Sequence, residues 1–269
     1  MAEITALLSP SNPVMENGKL KYDFLSREVE EGLLKRLKKV FEAKQGTDGW
    51  IAVGNEKGVE ISKRPAQEGE RPWDTFKGSS VINAPALFIL TYVHSFAFRH
   101  EWDEMYVKGE YVEVFDPLTK VSLIEFKAVW PASGRDFCNL VVLRELSEGI
   151  YCHAYQGVEF EKCPEKQGVV RGEILLGGFV IKELSSDPPK CLVTYITRVD
   201  LKGYFPVSFS NRLTLSQPKA VAVVREKVEA LYQKDLVAKN EDQSSIMQQS
   251  VNTAKEFKKG KEGRIGGGN

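Results

Sequence analysis

The 269-residue chain lacks an excess of either charge, with 37 lysines and arginines against 37 aspartates and glutamates. A general nucleic-acid-binding role calls for a basic surplus, so no nucleic-acid partner is expected. No segment approaches the run of about 20 apolar residues that a spanning helix requires. The stretch from Met1 to Pro10 lacks the basic and apolar blocks of a secretory signal, so a cytoplasmic location is expected. Histidine is scarce: His94, His100 and His153 are the whole supply. The four cysteines, Cys138, Cys152, Cys163 and Cys191, show no zinc-site spacing. In a reducing compartment they predict four free thiols, mostly on strands. A Gly-x-Ser-x-Gly elbow, a His-Glu-x-x-His pair and a Gly-rich phosphate loop are also missing. No metal, cofactor or catalytic residue is expected.

What is present is an ordinary globular composition, 42% hydrophobic and 28% charged. Residues 1–21 are polar with close-set Pro10, Pro13 and Gly18, and read as a loose arm. Ser26 to Ala43 predicts a helix with Ser26 as cap, acids in its first turns and bases later. Its apolar stripe is Leu33, Leu34, Leu37 and Phe41. Short strands follow at 50–53, 59–61 and 76–82. Asn83 is placed as the cap of a helix over Ala86 to His94 that is apolar on nearly every side, the mark of a buried helix. A second short helix holds Arg99, Trp102 and Asp103.

From Tyr111 to Arg198 the pattern alternates, with strands expected at 111–115, 121–130, 137–144, 150–157, 169–183 and 191–198. Short connections argue for an antiparallel sheet. Gly203 to Pro206 reads as a loop, and Ser216 caps a long helix to Leu236 whose one face carries Val221, Val224, Val228 and Leu231. Residues 237–269 are polar, with a basic run from Lys255 to Arg264, and read as a disordered tail. One domain is therefore expected over 22–236. The fold class is α+β: a curved antiparallel sheet enclosing a cavity beneath a long C-terminal helix.

Five motifs in this order resemble a known family. They are Thr47-Asp48-Gly49-Trp50, Arg99-His100-Glu101-Trp102-Asp103, Val129 to Phe137 (VWPASGRDF), Val170-Arg171-Gly172-Glu173 with Gly177-Gly178-Phe179, and Asp200-Leu201-Lys202-Gly203 before Pro206 and Asn211. Over roughly Val29 to Gln233 the chain resembles the lipid-binding domains related to steroidogenic acute regulatory protein, the START domains. The resemblance implies a helix-grip fold whose tunnel holds one lipid, without covalent chemistry. It also implies a monomer that touches membranes transiently and moves the lipid between them. The alternatives are a lipid-sensing domain that regulates a partner and, less favoured, an enzyme of the helix-grip superfamily.

The resemblance places Arg99 and Asp103 at the inner end of the tunnel, where they meet the head group. Helical spacing alone gives them only a shared face and the weak exposed pair of a helix surface. Ile124 and Phe137 fall where phosphatidylcholine carriers line a choline site with aromatics, and Ile124 departs from that pattern. The strand from Cys138 to Val142, apolar except for Asn139, lacks an arginine that sterol-binding relatives often carry. His153 is a candidate head-group donor or acceptor against the plainer reading of a core histidine. Trp130 is a candidate membrane contact at the tunnel mouth. Arg135 with Asp136, and Arg171 with Glu173, read as structural.

Overall fold

The computed structural model describes residues 15–16, 19–20, 27–128, 133–203 and 206–239, with side chains over 29–128, 133–203 and 206–236. Trp130 lies outside the described residues. The strands in chain order are β1 (Met15–Glu16), β2 (Lys19–Leu20), β3 (Ile51–Glu56), β4 (Val59–Arg64), β5 (Thr75–Ile82) and β6 (Tyr106–Asp116). They continue with β7 (Thr119–Phe126), β8 (Arg135–Ser147), β9 (Ile150–Gly157), β10 (Val170–Arg171), β11 (Glu173–Ser186) and β12 (Pro189–Asp200). The helices are α1 (Arg27–Glu42), α2 (Ala86–His94), α3 (Phe96–Trp102), α4 (Val207–Thr214) and α5 (Ala220–Lys239).

Nine strands form one path, β3-β4-β5-β12-β11-β9-β8-β7-β6, and β10 adds to β8 in parallel. Every neighbouring pair along the path is antiparallel. Residues on a strand alternate between faces, and both faces here are covered. Along β8, Cys138, Leu140 and Val142 face outward and pack with Leu33 and Leu37 of α1. Phe137, Val141 and Leu143 face inward and share a core with Ile89, Leu90 and Val93 of α2 and with Val221, Val224 and Val228 of α5. Register shifts within β11–β12 and β6–β7 are bulges, which bend their strands. This is the expected α+β helix-grip arrangement. The four cysteines are free and buried, three of them on strands.

Several local expectations differ from the structure. The segment 1–21, read as a loose arm, contains the paired β1 and β2. Asn83 does not cap α2, because Pro85 occupies the cap position. Its side-chain amide instead donates to Glu229 Oε1 of α5 at 2.7 Å. Helix α4 stands in a stretch left unassigned in the sequence. The long helix begins at Ala220, after a 3-10 turn over Gln217–Lys219, and not at Ser216. Arg135 and Asp136 point to opposite faces of β8, so they are not a mutual pair. Asp136 accepts from Arg171 at 2.8 Å, while Arg135 donates to Leu201 O at 3.3 Å and to Ser133 O. Arg171 and Glu173 lie on separate strands, β10 and β11.

Candidate functional site

Between the inner face of the sheet and the helices lies a cavity of about 330 Å³. That volume is within the usual range for ligand pockets, roughly 300–1,000 Å³. Its wall is built strand by strand: Tyr111 of β6, Ser122 and Ile124 of β7, Phe137 and Asn139 of β8, His153 and Tyr155 of β9, and Tyr195 and Thr197 of β12. His94 closes α2 toward it, and Phe96 and Arg99 come from α3. Its rim holds Lys127, Ser133, Arg135 and Leu201, with Leu213 and Thr214 of α4 and the following Ser216 and Gln217.

The aromatic wall depends on close approach to bare backbone. Phe137 lies over Gly172 and Tyr155 over Gly177. A Cβ at these glycines would stand 2.3 Å from Phe137 Cε1 and 2.2 Å from Tyr155 Cε2. Tyr155 donates from its hydroxyl to that of Tyr195 at 3.0 Å, across the intervening β11.

Arg99 and Asp103 are each 5% exposed. Arg99 Nε and Nη2 donate to one oxygen, Asp103 Oδ2, at 3.0 and 2.8 Å. The guanidinium also lies 4.3 Å from the centre of the Trp102 ring and 5.9 Å from that of Phe126. Burial is the largest single effect and opposes its charge, but the Asp103 carboxylate together with Tyr155 and Tyr195 outweighs it and raises the pKa. The pair is thus an enclosed ion pair and not the weak exposed one that helical spacing alone suggests.

The two histidines of the wall are neutral. Burial lowers His153 to about 3, with Arg99 and Lys120 adding to the effect. Burial, then Lys120 and His153, hold His94 well below its ordinary value. The two imidazoles meet edge to face with centres 5.0 Å apart. Lys120 Nζ lies 3.1 Å from His94 Nε2. An ammonium only donates, so Nε2 accepts and His94 carries its proton on Nδ1.

Three buried atoms on this wall have no hydrogen-bond partner among the described residues: Ser122 Oγ, Asn139 Oδ1 and His153 Nδ1. Such an atom costs about 1–3 kcal/mol when left unpartnered in a protein interior. Ser122 and Asn139 are register partners across β7 and β8.

Of the residues singled out in the sequence, Arg99, Ile124, Phe137 and His153 line the cavity. Asp103 stands behind Arg99 and holds it. The residues that sequence reasoning missed are Ser122, Asn139, His94 and the three tyrosines. Asn139 carried a signal, as the lone polar residue in an apolar strand. Among the described residues, no helix is long and apolar enough to cross a membrane, and no cluster could hold a metal ion.

The START domain family model matches residues 37–234. StAR-related lipid transfer protein 13 of Mus musculus is 29% identical over 182 residues, 67% of this chain and 16% of that protein. The chain therefore spans about one sixth of that relative's length. StAR-related lipid transfer protein 5 of Mus musculus is 28% identical over 174 residues, 63% of this chain and 81% of that protein. The solved structure of human StAR-related lipid transfer protein 5 superposes with a TM-score of 0.68 at 22% identity, covering 76% of this chain and 97% of that one.

Proposed function

The chain belongs to the START domain family, and from that premise we propose that it encloses one lipid molecule in its cavity and carries it between membranes. The observation that carries this reading is the cavity itself: aromatic and aliphatic walls with a few convergent polar groups that the protein leaves unpartnered. The named relatives are lipid transfer proteins.

The physical need is a matter of magnitude. Transfer of a CH₂ group to water costs about 0.8 kcal/mol, so exposing roughly 30 of them costs on the order of 24 kcal/mol. A barrier of that height holds unaided escape to about one event per day. Apolar side chains that replace the membrane contacts remove most of it, and no bond is made or broken. The proposed role is therefore that of a monomeric, non-enzymatic carrier. Arg99, Asp103, Ile124, Phe137 and His153 contact the lipid in this reading, and Trp130 contacts the membrane, on the grounds given by the sequence.

The test is native mass spectrometry of the protein after exposure to mixed vesicles, with a donor-to-acceptor vesicle transfer assay. One lipid-sized adduct per chain and accelerated transfer are expected. Binding without transfer points to the sensor reading. Uptake of no lipid across sterols, ceramides and glycerophospholipids sinks both.

A further inference from the structure

We infer that the cavity selects a neutral lipid whose polar part offers hydroxyl or amide groups, held by Ser122, Asn139 and His153, in preference to phosphatidylcholine. This rests on the lipid-carrier reading above and specifies the class of ligand. Ser122 and Asn139 are fully buried and His153 is 5% exposed, so water at the surface does not serve them. Native proteins keep few such atoms, and each one calls for a cause.

The chemistry required of the missing partner is specific. Asn139 Nδ2 donates to Phe137 O at 3.4 Å, which leaves Oδ1 as the orphan and therefore in need of a donor. A phosphodiester offers only acceptors and a quaternary ammonium has no N–H, so a phosphocholine head supplies no donor. A hydroxyl supplies both a donor and an acceptor, and matches Ser122 Oγ and His153 Nδ1 equally well.

The charges in the cavity already have protein partners. Arg99 gives two N–H groups to Asp103. Lys127 donates to Glu104 O at 2.6 Å, and Arg135 donates to the carbonyls of Ser133 and Leu201. Each of these cations keeps further N–H groups, so the discrimination against phosphocholine rests on the donor that Asn139 Oδ1 requires and not on charge. Three aromatic faces near the site also carry a cation already. Arg99 occupies Trp102 and Phe126, and Lys120 lies 4.8 Å from the centre of the Tyr111 ring.

The experiment compares uptake from vesicles carrying ceramide, diacylglycerol or cholesterol with uptake of chain-matched phosphatidylcholine, read by native mass spectrometry. At least ten-fold preference for a neutral hydroxyl-bearing lipid is expected. Ser122→Ala and Asn139→Leu should each lower its uptake about five-fold, the loss of one ordinary hydrogen bond. Each should also raise the melting temperature of the lipid-free protein, because an unpartnered buried polar atom is removed. That rise separates a ligand-binding role from a structural one and shows that the variants fold. Preference for phosphatidylcholine overturns the inference while leaving the carrier reading in place. Unchanged uptake of the neutral lipid by both variants overturns it too, since trapped water would then be serving these atoms. Uptake of neither class by the parent overturns the carrier reading and this inference with it.

Discussion

The ring of Tyr155 lies on the backbone of Gly177, its register partner across β9 and β11, so that the glycine's missing side chain is the space the ring fills. Gly177→Ala would place a methyl group 2.2 Å from Tyr155 Cε2. The ring must then swing toward the cavity and give up its hydrogen bond to Tyr195. Overpacking of this kind costs about 1–3 kcal/mol. Denaturant unfolding of Gly177→Ala should show that loss, together with reduced lipid uptake. Adding Tyr155→Leu should recover stability but not uptake.

The Arg99–Asp103 pair calls for a double substitution. Arg99→Ala alone strands a buried carboxylate, and breaking a buried pair costs about 3–5 kcal/mol. An apolar replacement of both partners, Arg99→Met with Asp103→Leu, should recover most of that stability. If the pair contacts lipid, the stable double variant should still lose about ten-fold or more in transfer rate. A double variant that is stable and transfers normally would assign the pair to structure alone.

Much of this architecture is legible in the sequence because burial writes itself into periodicity. The all-round apolar run from Ala86 to His94 could only be an internal helix, and β8 and β9 follow from alternation at their positions. Helix α4 escapes because VSFSNRLT spreads only three apolar residues over two turns. Its place is set by packing on β12 and by Asn211, which accepts from the backbone of Asp74 at 3.1 Å. The polar wall escapes for a different reason. Ser122 is an unremarked serine until register sets it opposite Asn139, and no one-dimensional pattern records which residue lies across a strand. The glycine platforms under Phe137 and Tyr155 are likewise tertiary facts. Arg99 and Asp103 were visible as a spacing, but their burial was not.

Acid should loosen the end of the sheet nearest the cavity rim. Arg71 makes a two-pronged contact with Glu173 at 2.6 and 2.8 Å and reaches Asp200 at 3.1 Å. Lys202 contacts the same two acids at 2.9 and 2.8 Å. The Arg71 hydrogen bonds, followed by Lys202, pull Glu173 from its ordinary 4.5 to about 2. A depressed carboxylate stabilises the fold above its unfolded pKa. That contribution is lost as pH falls from about 4.5 toward 2. Because Glu173 is partly exposed, the effect should be modest. Unfolding midpoints of Glu173→Gln should depend less on pH than the parent's between those values.

Lys77 predicts a gain in base. From β5 its ammonium donates to Val40 O at 3.0 Å and to Ala43 O at 2.5 Å, at the C-terminal end of α1. It also lies 4.4 Å from the centre of the Trp50 ring. Cations are favoured at that end of a helix dipole, but burial dominates and lowers the pKa of Lys77 from 10.5 to about 8. Between those two values the unfolded chain binds a proton that the folded chain does not. Stability from this group therefore rises with pH across the window of about 8 to 10.5. Other groups act against it. Burial raises Cys152 and Cys191 to about 12 from 9, so each loses stabilising effect as pH climbs past 9. The buried tyrosines do the same above 10. The informative quantity is thus the difference between the parent and Lys77→Met, measured by urea unfolding at several pH values from 7.5 to 10. The cysteine and tyrosine contributions are common to both proteins and cancel in that difference. The parent should gain on the variant steadily above pH 8. A difference that stays constant across the range would mean that the helix-end carbonyls hold the ammonium strongly enough to offset burial.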